Sequence, residues 1–201
     1  MAENNKFPVI TISREYGAGG RSVAKGLANR LGIDFYDRDF VKITSKVSGF
    51  SEEDVLREGE DLSRSSRFIN NFLTNTANYV NSYDTIFQAE KDVILQLAKK
   101  PCIIVGRCSN IVLKEEGIES FNVFLYAEPE KRLKRVLELN EYGNQDPAKY
   151  LEKRDRFRKT YYRAYTDHEM GDCRDYNICL DTGLLGVDRC VDILENVIKS
   201  L

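Results

Sequence analysis

The sequence predicts an α/β fold, a doubly wound five-stranded sheet flanked by helices, and three observations carry that expectation. Short apolar runs recur near residues 9, 33, 101, 121 and 176, separated by stretches with helical spacing of apolar residues. The run Pro101-Cys102-Ile103-Ile104-Val105 is apolar without alternation, as in a central strand covered on both faces. The first run leads straight into a glycine cluster and then a helix, the arrangement that places ligands at the C-terminal edge of an open sheet.

Val9-Ile10-Thr11-Ile12 is a β-branched run and reads as the first, buried strand. Gly17, Gly19 and Gly20 follow, and Val23, Ala24, Leu27, Ala28 and Leu31 then recur at helical spacing. Strand, glycine-rich turn and helix start aim free backbone N–H groups at one spot, and the helix dipole favours negative charge there. The stretch is therefore expected to be a phosphate-binding loop for a nucleoside triphosphate. The alternative is a tight turn in which the glycines serve only positive-φ backbone. The pattern Gly-x4-Gly-Lys-Ser/Thr is not matched cleanly. Ending it on Ser22 puts Arg21 in the lysine place and Glu15 at the first glycine, whereas aligning on Gly17-Ala18-Gly19 puts Gly20 in the lysine place. The dinucleotide pattern G-x-G-x-x-G fails, because Ser22 stands at its last glycine.

Gly32 stops the first helix, and Ile33-Asp34-Phe35-Tyr36-Asp37 reads as a second strand that delivers Asp37 to the ligand edge. Asp39 either joins that charged cluster or caps a helix over Phe40–Val47. Ser51-Glu52-Glu53-Asp54 reads as a helix cap with first-turn acids. Phe68, Phe72, Tyr79, Tyr83 and Phe87 share one helical face, which serves either core packing or, with nearby amides such as Asn71 and Gln88, reception of a base. The third run ends in Gly106-Arg107, so Arg107 emerges at the same edge as the glycine loop. A helix over Ser109–Glu116, a strand over Phe121–Ala127 and a helix opened by Pro129 follow. The basic residues of that last helix, Lys131, Arg132, Lys134 and Arg135, read as a solvated face. Between Glu152 and Arg163 six basic residues stand against Glu152 and Asp155, and arginine forks suit phosphate oxygens. Tyr176–Asp181 supplies the last strand and Val187–Leu201 a closing amphipathic helix.

With 201 residues the chain is expected to form one domain that buries roughly 70% of its unfolded surface. A net charge of −2 gives no drive toward nucleic acid or anionic membrane, and no nucleic-acid partner is expected. No apolar run approaches the ~20 residues of a membrane-spanning helix, and the first residues lack the apolar core of a signal peptide, so a cytoplasmic location without membrane attachment is expected. Five cysteines without a C-x-x-C pair and a single histidine, His168, argue against a zinc site and against a Ser-His-Asp hydrolase. Reduced thiols, mostly buried, are the expected state.

The glycine loop, the Tyr36-Asp37-Arg38 after the second strand, the Ile104-Val105-Gly106-Arg107 after the third and the arginine-rich segment occur in one order along the chain. In that order the chain resembles the cytidylate kinase-like proteins, a branch of the P-loop nucleoside monophosphate kinases. The likeness is strongest over residues 9–41, 102–113 and 153–182 and weak over 45–97. It implies a three-layer P-loop kinase-type fold, a five-stranded parallel sheet with two helical inserts in a single domain. The core would comprise about 6–44, 98–141 and 172–201, with an acceptor-binding insert over about 45–97 and an arginine-rich lid over about 142–171. It places Gly17, Ala18, Gly19 and Gly20 on the triphosphate cradle and Ser22 on the hydroxyl that coordinates Mg²⁺. Asp37, Arg38 and Arg107 fall on acceptor contacts, and Asp155, Arg156 and Arg158 match the lid's Asp-Arg-x-Arg pattern.

Two departures stand out. The loop lysine is absent, and Val105 replaces the Asp of the family's Asp-Gly-Arg. An active enzyme needs another cation on the phosphates; Arg21 is the first candidate, with Arg14 and Arg107 behind it. The expected activity is ATP-dependent, Mg²⁺-requiring phosphoryl transfer to a small nucleotide, CMP or dCMP, chiefly by electrostatic positioning. Arg21, Arg156 and Arg158 would stabilise the moving charge, and Asp37 would orient the acceptor. The alternatives are a kinase for another small-molecule acceptor and a non-catalytic nucleotide-binding or regulatory protein. Oligomeric state is not encoded in any feature of the sequence.

Overall fold

The computed structural model describes residues 8–53, 55 and 82–201. β1 (Val9–Arg14) is the central strand and is followed by α1 (Gly20–Leu31), β2 (Asp34–Tyr36) and α2 (Arg38–Ser48). After the undescribed stretch come α3 (Ser82–Leu97), β3 (Cys102–Val105), α4 (Ser109–Glu115) and β4 (Ser120–Tyr126). α5 (Pro129–Leu139), α6 (Pro147–Thr166), β5 (Ile178–Asp181) and α7 (Thr182–Lys199) complete the chain. The five strands pair in parallel in the order β2-β3-β1-β4-β5, so the three-layer α/β expectation holds.

Register explains why the two central strands are largely apolar on both faces. Ile10 pairs with Ile103 and Ile12 with Val105, and these four side chains face α1 and α7, where Val23, Leu27, Val191 and Leu194 meet them. The alternate residues, Val9, Cys102 and Ile104, face Phe40 of α2, Ile94 of α3 and Leu113 of α4. One sheet thus carries two cores, and each must be fed by its own set of helices. A polar residue within β1, Thr11, is tolerated because its hydroxyl donates to Asn122 Oδ1 at 2.7 Å.

Several local signals act as read, with shifts at the ends. Gly32 ends α1 in the left-handed conformation, and Gly49 does the same for α2. α2 begins at Arg38, which puts Asp37, rather than Asp39, in the N-cap position, and Asp37 makes no capping hydrogen bond. α7 breaks at Gly186 (φ 76°, ψ 165°), so its long amphipathic part starts at Val187. The aromatic face ascribed to Phe68, Phe72, Tyr79 and Tyr83 lies outside the described side chains, except that Phe87 stacks on Tyr165 with ring centroids 4.0 Å apart. Cys102, Cys108 and Cys190 are buried, Cys173 is exposed, and no disulfide joins the described cysteines. Among the described residues no helix is long and apolar enough to cross a membrane.

The glycine loop is held from behind by a buried charge cluster. Asp155 Oδ1 of α6 accepts the Tyr16 N–H at 2.7 Å, while its Oδ2 pairs with the Arg132 guanidinium of α5. Arg132 also donates to the carbonyls of Tyr16 (3.1 Å) and Ala127 (2.9 Å). It is only 6% exposed, which corrects the solvated reading for this residue, while Lys131 and Lys134 are exposed as read. Asp155→Ala leaves that guanidinium buried without its carboxylate and is expected to cost about 3–5 kcal/mol. Urea unfolding of the variant, with Asp155→Asn as the milder comparison, checks the value.

Candidate active site

The loop leaves the C-terminal end of β1 and turns into α1 through Gly17 (φ 78°) and Gly19 (φ 74°). Gly17 also has to lack a side chain, because a Cβ there would lie 2.8 Å from the Arg132 carbonyl oxygen. Glu15, the loop's only acid, is tied to α5 and to the exit of β4. Its carboxylate lies 3.2 Å from Arg132 Nε and accepts the Ala127 N–H at 3.3 Å. Thr182 Oγ1 at the start of α7 donates to the Ala18 carbonyl at 2.9 Å. α1 has no acidic residue in its first turn, where N–H groups lack partners within the helix, so its positive end is uncompensated by its own sequence.

A cavity of about 330 Å³ opens over this loop. Six arginines line it, Arg14, Arg21, Arg107, Arg135, Arg154 and Arg158, against three carboxylates, Glu15, Asp37 and Glu141. A smaller cavity of about 130 Å³ adjoins it, sharing Arg14, Arg107, Arg154 and Arg158 and floored by Tyr161, Tyr162 and Met170. Such an excess of positive charge in a concave site draws in a polyanion.

The cations come from different elements. Arg14 ends β1, and its guanidinium lies 3.6 Å from Asp37. Arg21, on the first turn of α1, lies 3.6 Å from the other oxygen of the same carboxylate, with its side chain 51% exposed. Arg107 adopts a left-handed backbone (φ 59°) after β3. It ion-pairs at 2.7 Å with Glu90 of α3, a fully buried carboxylate that also accepts the Tyr161 hydroxyl. Burial raises the Glu90 pKa, and the Arg107 charge and the Tyr161 hydrogen bond oppose that shift. Arg158 donates to the Arg14 carbonyl at 3.3 Å and lies over the Tyr16 ring, as does Arg154. Burial pulls the Arg158 pKa well down, and the neighbouring charges of Arg14 and Arg154 add to the effect. Burial likewise lowers Arg14 and Arg154. These guanidinium groups stay charged, so the shifts register chiefly the cost of burying them, with like-charge crowding added at Arg14 and Arg158, and a bound anion relieves both.

The sequence-predicted residues divide cleanly. Gly17, Gly19, Gly20, Arg21, Ser22, Asp37, Arg107 and Arg158 line the cavity over the loop. Ala18 is buried beneath it. Arg156 does not line this cavity: α6 advances ~100° per residue, so Arg154 and Arg158 share one face. Arg156 instead lines a separate groove between α5 and α6. Asp155 points inward to Arg132 and Tyr16 and away from any phosphate. The Arg38 side chain lies outside the described part of the structure. The sequence reading missed Arg154, Arg135 and Glu90. An i, i+4 reading of α6 finds Arg154 from Arg158, whereas Glu90 carries no local signal. Arg135, read as solvated, donates to Ser22 Oγ at 2.6 Å and joins the cavity wall.

Among the oxygen donors near the loop, Ser22 Oγ retains a lone pair beyond the one Arg135 uses, and Asp37 faces Arg14 and Arg21 in two 3.6 Å ion pairs. Both fit a hard divalent cation such as Mg²⁺, which takes few protein ligands and keeps waters and phosphate oxygens.

Sheet order, loop and cavity define a P-loop kinase architecture. Shikimate kinase from Bacteroides thetaiotaomicron shares the fold with a TM-score of 0.60 over 96% of this chain and 99% of its own, at 12% identity. The model of the cytidylate kinase-like family matches residues 9–184, and the chain belongs to that family. A cytidylate kinase from Thermoplasma volcanium is 23% identical over 193 residues, covering 96% of this chain and 92% of the relative. An uncharacterized protein from Eubacterium ventriosum aligns at 24% identity with a TM-score of 0.69, over 96% of this chain and 99% of its own.

Replacing Arg158 by Met tests the crowding argument. The variant is expected to bind inorganic triphosphate about 10- to 100-fold more weakly. Without anion it should melt no lower than wild type in low salt, since a repelling charge has gone. Thermal melts with and without triphosphate, supported by calorimetry, read both quantities.

Proposed function

We propose that the protein is an ATP-dependent phosphotransferase whose acceptor is a small nucleotide, CMP or dCMP. The observation that carries this reading is the convergence of six arginines on the glycine loop at the C-terminal edge of the sheet. Family membership supports it, and so does the name of the Thermoplasma volcanium relative, a cytidylate kinase.

Phosphoryl transfer asks the protein mainly to position two substrates and to neutralise charge on three phosphoryl oxygens. On this reading the amides of Gly17, Gly19, Gly20, Arg21 and Ser22 cradle the donor's phosphates. Arg154 and Arg158 flank the phosphoryl group in transit, and Arg21 contributes from the outer rim. Asp37 orients the acceptor, and Arg107, fixed by Glu90, holds its phosphate. Ser22 and Asp37 would hold Mg²⁺, which when bound supplies charge neutralisation on the donor's terminal phosphates. The stretch 142–171, which contains α6, would act as the lid that excludes water, and 45–97 as the acceptor-binding insert. Much of the latter lies outside the described residues.

Two observations favour a second reading. Val105 lies in the cavity wall where the family pattern has a carboxylate, and no lysine is present in the loop. A protein that binds ATP and transfers nothing would also fit those two facts.

An acceptor panel separates the readings. With ATP and Mg²⁺, CMP and dCMP are expected to be phosphorylated faster than AMP, GMP, UMP or shikimate, and EDTA should abolish the transfer. Coupled ADP release and direct detection of CDP measure it. Transfer to a different acceptor would reassign the substrate, and ATP binding without any transfer would leave the non-catalytic reading standing.

A further inference from the structure

We propose that Arg14, the last residue of β1, supplies the cation that a loop lysine provides in the P-loop pattern and holds the donor's terminal phosphates. The inference rests on the phosphotransferase reading above and sharpens it. When Gly19 is set on the second glycine of the pattern, Gly20 falls in the lysine place, Arg14 in the place of the first glycine and Arg21 in the Ser/Thr place, one residue before Ser22. Taken along the sequence, glycine for lysine and arginine for glycine are two unrelated defects. In space they are one substitution.

A Cβ at residue 20 would lie 2.8 Å from Arg14 Cγ, 3.1 Å from its Cβ and 3.2 Å from its Cδ. The Arg14 stem therefore fills the space through which a residue-20 side chain would leave the helix. The guanidinium then crosses Gly106, where a Cβ would overlap Nη1, so the second missing side chain makes room for the charged end. Gly106 (φ 82°) is glycine for the backbone as well. Arg14 is thus threaded between two glycines that its own side chain requires. The strand delivers it, and the Arg158 hydrogen bond to its carbonyl fixes it from the outer side.

Position and charge separate Arg14 from Arg21, the candidate the sequence puts first. The Arg14 side chain is 20% exposed against 51% for Arg21, and both lean on the same Asp37 at 3.6 Å. Arg14 lines both cavities, whereas Arg21 lines only the one over the loop. A half-buried guanidinium on a fixed stem is pre-organised for a phosphate, while an exposed one must be ordered on binding. Burial chiefly disfavours the Arg14 charge, Asp37 offsets part of that, and Arg107 and Arg154 add to it, so an arriving phosphate improves its surroundings.

The test is a relocation of charge. Wild type, Arg14→Met, Arg21→Ala, Gly20→Lys and the double variant Arg14→Gly/Gly20→Lys are compared by calorimetry with metal-free inorganic triphosphate, then by initial rates with ATP and CMP. Arg14→Met is expected to bind triphosphate about 10- to 100-fold more weakly, and Arg21→Ala to lose no more than a few-fold. Gly20→Lys alone, with its side chain driven into the Arg14 stem, should bind poorly and melt lower. The double variant, which puts lysine back into the vacated volume, should recover most of the binding. Triphosphate binding by Arg14→Met equal to wild type overturns the proposal, as does a folded double variant that stays as weak as Arg14→Met. A double variant that does not fold leaves the decision to Arg14→Met against Arg21→Ala, where loss confined to Arg21→Ala is the overturning result. Failure of the wild type to bind triphosphate or ATP at all would sink the phosphotransferase reading itself.

Discussion

The buried pair between Arg132 and Asp155 is the constraint on which the site depends. Asp155 takes the N–H of Tyr16 and Arg132 takes its carbonyl, so both polar groups of one loop residue are held by charged partners on α5 and α6. Arg132 also takes the Ala127 carbonyl at the exit of β4, and Glu15 lies against its Nε. Loop, sheet edge and two helices thus share one desolvated cluster. Burial of such a pair is a poor source of net stability, yet loss of either partner is costly, which makes it an effective device for fixing geometry. Gly17 follows from it, since the loop passes so close to the Arg132 backbone that no side chain fits.

A loop fixed in this way can tolerate a surplus of positive charge in front of it. Arg14, Arg107, Arg154 and Arg158 crowd around two adjoining cavities; burial lowers three of the four guanidinium pKa values, and repulsion adds to the shift at Arg14 and Arg158. The aromatic faces of Tyr16 and Tyr161 and the carboxylates of Asp37 and Glu90 keep the cluster in place without neutralising it. Donors held in place before binding need little reorganisation when an anion arrives. The same crowding opposes folding, and the apolar cores on both faces of the sheet must offset it.

Much of this was legible in the chain. The strands were visible because buried parallel strands are apolar without alternation, and the glycine loop because positive φ and close approach admit little else. Asp37 and Arg107 were placed at the site because both follow strands whose C-terminal ends share an edge. The arginine segment was visible by composition, but which arginines face inward was not. Helical periodicity groups Arg154 with Arg158 and sets Arg156 apart, and only the docking of α6 against Tyr16 decides which group meets the cavity. Arg132 and Arg135 went unrecognised for the same reason, since a basic helix face reads as solvated until a neighbour covers it.

By itself the sequence determined the α/β class, the strand count, the glycine turn between β1 and α1 and the family, because each is written in local patterns of burial, glycine placement and charge. Tertiary structure alone decided how the irregular loop is completed. Arg14 and Gly20 are six positions apart, and Gly106 follows a different strand, β3, yet one side chain passes between the two glycines. The missing lysine and the added arginine are therefore a single feature of the folded chain. No linear pattern can express it, because what matters is the volume one side chain vacates and another fills.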